Sequence, residues 1–234
     1  MPVSVQNFMT AVNPQITKNY AIKNLETMHS LVIRSAKFGF FIMMLLVVPL
    51  CANINYILGI WLVEVPAHTA NFIVLVLVYS LFGSLSQPLL TGILAEGKIK
   101  WYEIALGIAY SMNFVAVYVL LKAGLIVELV FVINIIFDFF VFAILLYQSK
   151  KKYSLSLQMF FIKTLVPCFF VFLLSCLIVF ILPLKNAENL WRFILDSLVT
   201  VTINSVLVLF IGMNKNERFY IKNLVLKKIE GVRK

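Results

Sequence analysis

Six runs of roughly twenty mainly apolar residues, each the length of a bilayer-spanning helix, fill most of this chain and constrain it more than any other feature. They cover residues 38–60, 70–95, 102–121, 126–147, 160–182 and 190–212. A bilayer core holds no water, so a backbone crossing it must pair its own N–H and C=O groups, and a helix does so within one segment. The expected fold is therefore all-α, a polytopic integral membrane bundle with six transmembrane helices. With 62% hydrophobic and 13% charged residues and a mean hydropathy of +0.99, both an aqueous globule and a disordered chain are excluded. Loops of a few residues leave no room for a domain outside the membrane. Trp61, Trp101 and Trp191, with Tyr56, Tyr102 and Tyr147, fall at run ends, where amphipathic rings favour the headgroup layer.

The charges set an orientation. Of the 20 Lys and Arg residues, only Lys122, Lys185 and Arg192 fall on one side of the six-run block. The other side takes Lys18, Lys23, Arg34, Lys37, Lys98, Lys100, Lys150, Lys151, Lys152, Lys163 and the basic residues from Lys215 onward. The positive-inside rule puts that side, with both flanks of the block, in the cytoplasm. The net charge of +10 is then explained by topology and anionic headgroups, and no nucleic-acid partner is expected. The chain divides into residues 1–37, the bundle 38–212 and a basic tail 213–234. In the tail Ile221, Leu224, Val225, Ile229 and Val232 share a helical face, with Arg218, Lys222, Lys227 and Lys234 mainly opposite. A surface-lying helix and a solvated basic tail both fit that pattern.

Residues 1–37 lack the basic start and short apolar core of a signal peptide. Gln6, Thr10, Asn13 and Thr17 recur at helical spacing and form one polar face, while Val5, Phe8, Met9, Val12 and Ile16 supply apolar surface, and Pro14 introduces a kink. The sequence predicts a polar seventh span ending near Lys18, lining a hydrated cavity; an interfacial helix is the alternative.

Polar groups inside the apolar runs need a reason, since a central Asp costs about 2.5–3.5 kcal/mol on translocon scales. Asn134 and Asp138 share one face of the fourth run. They read either as a cavity pair binding a polar substrate, an ion or a proton, or as a packing hydrogen bond. Asp196, Thr200 and Asn204 also share a face, and Arg192 is placed to pair with Asp196 as a structural lock. Asn113, with Ser111 nearby, reads as a helix–helix hydrogen bond. Pro49, Pro88 and Pro167 interrupt runs. The sequence contains no H-E-x-x-H, no Walker glycine loop and no G-x-S-x-G, and neither His29 nor His68 has an obvious orienting carboxylate. Cys51, Cys168 and Cys176 read as small buried hydrophobes. No enzyme activity, cofactor or metal is expected.

Several short segments, in order, resemble a known family. They are F-M-T-A-V-N-P-Q-I-T-K-N-Y-A (8–21), I-L-G-I-W-L-V-E-V-P (57–66), S-Q-P-L-L (86–90), A-E-G-K-I-K-W-Y (95–102) and Y-V-L-L-K-A-G-L (118–125). Together they resemble the carboxy-terminal half of bacterial polysaccharide biosynthesis proteins, the Wzx-type lipid-linked oligosaccharide flippases of the MOP superfamily, relatives of MATE exporters. The resemblance implies one lobe of a MATE-like two-lobe transporter in the bacterial inner membrane. It implies a polyprenyl-diphosphate-linked sugar as substrate, alternating access, and an amino-terminal lobe as partner. On that pattern Asn13 and Lys18 join Gln6, Thr10, Thr17, Asn134 and Asp138 as cavity residues, and Asp138 is the carboxylate available for ion or proton coupling. Rival readings are a small-solute exporter of the MATE type, or a membrane-embedded glycosyl- or acyltransferase drawing on Glu64, His68, Glu96 or Glu103.

Overall fold

The computed structural model describes residues 3–124, 128–182, 187–215 and 217–219. The proposed amphipathic tail lies outside the described residues except at its start. Every element among the described residues is helical. In chain order they are α1 (Val3–Ala21), α2 (Leu25–Ala52), α3 (Ile54–Trp61), α4 (Thr69–Gly83) and α5 (Ser86–Glu96). Then follow α6 (Lys100–Lys122), α7 (Glu128–Tyr153), α8 (Leu157–Phe160), α9 (Val166–Ile181) and α10 (Leu190–Leu207). A π-helical stretch, Phe161–Leu165, joins α8 to α9, and a second, Val208–Gly212, extends α10.

Among the described residues five helices are long and apolar enough to cross a membrane: Leu25–Ala52, Lys100–Lys122, Leu129–Tyr153, Leu157–Ile181 and Leu190–Gly212. The bent pair α4 and α5, with 45° between them, makes a sixth if it is one broken span. α1 forms a helix of 19 residues but is too polar to stand among the five.

The first expected span began at residue 38, yet the helix begins at Leu25. Asn24 explains this: its side-chain oxygen accepts from the Thr27 backbone N–H at 3.2 Å, and Glu26 meets the positive end of the helix dipole. The stretch that read as a juxtamembrane segment is thus the first turns of α2. At the other end α2 stops at Asn53, whose backbone N–H still bonds Pro49 O at 3.3 Å. The Asn53 side-chain oxygen Oδ1 accepts from Ala187 N at 3.0 Å, tying the α2–α3 corner to the entry of α10. Asn189 then caps α10 by accepting from Arg192 N at 2.9 Å.

α2 is the central helix. Of its most apolar stretch 67% is buried, against 6% for α6, 11% for α7 and 22% for each of the spans Leu157–Ile181 and Leu190–Gly212. It packs against α1, α4, α5, α9 and α10. Phe40, Phe41, Met43, Met44 and Val47 form the middle of the core, and Phe40 meets Phe82 and Phe172 ring to ring. Two glycines allow close approach: a Cβ at Gly92 would lie 2.8 Å from the Tyr153 ring, and one at Gly212 would lie 2.6 Å from Phe41. The outer helices turn large apolar side chains outward, including Phe114, Phe139, Phe180, Leu198 and Phe210. That suits a hydrocarbon surrounding and no aqueous one.

Candidate functional site

The polar helix α1 docks through Met9 and Ile16, both buried in the core it shares with α2 and α5. That choice of face leaves Gln6, Thr10, Thr17 and Lys18 exposed. Thr10 and Thr17 donate to the carbonyls of Gln6 and Asn13, at 2.8 and 3.1 Å, so their hydroxyls are satisfied within the helix. Asn13 is half-buried, and its side-chain oxygen accepts from the Thr91 hydroxyl of α5 at 2.9 Å. The four-residue spacing that identified this face is thus a real surface of the helix, with one anchor on α5.

Asn134 and Asp138 lie elsewhere. They line a half-open cavity of about 330 Å³ between α4, α6 and α7, together with Tyr79, Tyr110, Asn113 and Phe131. The Asn113 amide donates to the Asn134 side-chain oxygen at 2.9 Å, joining α6 to α7, while the Asn113 oxygen has no partner among the described residues. Tyr79 of α4 and Asp138 of α7 line the cavity together. Among the described residues no Lys, Arg or His forms an ion pair with Asp138. A second, apolar groove of about 640 Å³ adjoins the cavity and shares Tyr79 and Asp138 with it; Phe82, Phe139, Phe142 and Phe169 line its walls.

The expected cavity residues therefore fall into two groups. Gln6, Thr10, Asn13, Thr17 and Lys18 belong to α1, and Asn134 and Asp138 to the α4–α6–α7 cavity. α5 packs against both α1 and α7 and stands between them. Helical spacing shows which residues share a face and nothing of which faces meet. Tyr79 and Tyr110 escaped notice because tyrosine in an apolar run reads as an interfacial anchor. Asn113 was visible as a polar interruption, and its partner was not.

Two further polar sites stand apart. Asp196, Thr200 and Asn204 are buried on α10, where Ser175 of α9 donates to the Asn204 oxygen. Arg192 Nε lies 3.8 Å from the Asp196 carboxylate, the pairing expected from their spacing. Lys37, grouped by its sequence position with the cytosolic charges, is 1% exposed, with its ammonium 2.6 Å from Glu217. Glu217 also accepts from Asn214 N at 2.8 Å. The early start of α2 draws Lys37 inward, and no local sequence signal pairs it with a glutamate this distant.

Among the described residues no three His, Cys, Asp or Glu side chains gather as metal ligands would. No family model, curated protein or solved structure matches the chain.

Proposed function

We propose that the chain is one lobe of a flippase that moves a polyprenyl-diphosphate-linked oligosaccharide across the bacterial inner membrane by alternating access, for polysaccharide and lipopolysaccharide biosynthesis. The observation that carries this reading is the exposed polar face of α1 on a molecule whose other long helices expose apolar side chains. Hydrocarbon gives Gln6 and Lys18 nothing to bond, so the face belongs against water or a polar partner surface. A hydrated cavity between this lobe and an opposing one supplies both. Sugar hydroxyls find amide and hydroxyl groups there in Gln6, Asn13, Thr10 and Thr17, and the diphosphate finds the Lys18 ammonium. The ordered segments that resemble the flippase family favour the same assignment.

Deleting the gene in its native host tests the proposal. Lipid-linked repeat units should accumulate on the cytoplasmic leaflet while surface polysaccharide falls. Surface polysaccharide at its normal level, with no accumulated intermediate, would overturn it.

A further inference from the structure

The α4–α6–α7 cavity holds Asp138, which the flippase resemblance assigns to ion or proton coupling, beside aromatic groups that the coupling role does not use. Asp138 sits inside the candidate span Leu129–Tyr153, half-buried and with no counter-ion among the described residues. A carboxylate at such depth is costly unless a cation meets it. A second acceptor, the side-chain oxygen of Asn113, is buried in the same wall with no donor among the described residues. Around them stand the aromatic rings of Tyr79, Tyr110, Phe131 and Phe137. Ring faces attract organic cations, most strongly where water is excluded. The volume of about 330 Å³ far exceeds the roughly 10–15 Å³ that one water needs by the same measure. It is roomy for a bare ion and suited to the head of an organic one.

We propose that this cavity binds a lipophilic ammonium ion, a protonated amine carrying an apolar body. The ammonium N–H groups bond Asp138 and the Asn113 oxygen, the aromatic rings flank the charge, and the apolar body lies in the adjoining groove between Phe82, Phe139, Phe142 and Phe169. That groove borders the cavity at Tyr79 and Asp138, the residues common to both, so the body reaches it by passing these two side chains. The proposal does not rest on the flippase reading, because binding is measured on the chain itself without transport.

The test compares phenylbutylamine, a cation at neutral pH, with phenylbutanol, its near-isosteric neutral counterpart. Isothermal titration calorimetry on the full chain in detergent should show saturable binding of the amine at least about tenfold tighter than the alcohol. Asp138→Asn should reduce the amine to the alcohol's level, and Asp138→Glu should restore the preference. Tyr110→Ala should weaken the amine more than the alcohol. Equal binding of amine and alcohol to the unaltered chain overturns the proposal without recourse to any variant. A preference that survives Asp138→Asn also overturns it, as does sodium binding that the amine fails to displace.

Discussion

At the residue scale the Lys37–Glu217 pair is the least expected contact. Removing one partner of a buried ion pair leaves a charge with no compensation, which costs about 3–5 kcal/mol, whereas an apolar replacement of both is often neutral. Lys37→Met alone should therefore lower the midpoint of thermal unfolding in detergent sharply. Lys37→Met combined with Glu217→Leu should regain most of the loss. Additive losses in the double variant would mean that the two side chains act independently. The glycine contacts give a second prediction at this scale. Gly92→Ala forces a Cβ to within 2.8 Å of the Tyr153 ring. Overpacking of this kind costs about 1–3 kcal/mol. Tyr153→Leu in the same chain should relieve it, read again from the unfolding midpoint; a plain Gly92→Ala that unfolds like the parent would remove the close approach from the account.

Elements were more legible than contacts. Each apolar run became helix because membrane-length stretches of Val, Ile, Leu and Phe leave little choice, and the ends moved where a capping residue such as Asn24 outweighed hydropathy. The break in the second run was legible only as a proline, and the bend lies earlier. α4 ends at Gly83 and α5 begins at Ser86, so Pro88 occupies the first turn of α5, where its missing N–H is not needed. Ser84 instead marks the bend, its hydroxyl donating to Leu81 O at 2.6 Å. Pro88→Ala should leave the 45° angle unchanged. Spin labels at the exposed positions Val76 and Leu94 would report this as an unaltered distance distribution, and a longer distance would assign the bend to the proline after all. The α2–α3 corner behaves differently, since Asn53 accepts from Ala187 N there and its truncation leaves a buried N–H unpaired.

For the whole molecule, the unresolved matter at sequence level was which faces meet, and it decides what each surface touches. Hydropathy identified α1 as polar and α6 as apolar, but only packing shows that Met9 and Ile16 turn inward while Thr10 and Thr17 remain outside. The molecule therefore has two kinds of exterior. One is the apolar surface of α6, α7, α9 and α10, and the other is the polar face of α1. Thiol alkylation distinguishes them because the thiolate is the nucleophile and forms only where water reaches it. With Cys51, Cys168 and Cys176 replaced by Ala, single cysteines at Thr10 and Thr17 should react with a membrane-impermeant maleimide. Those at Phe114 and Leu198, both exposed on the apolar surface, should react at least roughly tenfold more slowly. If Thr10→Cys is as inert as Leu198→Cys, α1 faces lipid and the hydrated wall of the proposed lobe is lost. If Thr10→Cys reacts and is then protected by co-expression of an opposing lobe, the polar face is a cavity wall shared between two halves. The packing of α1 predicts the reaction at Thr10, and the protection is what the proposed function adds to it.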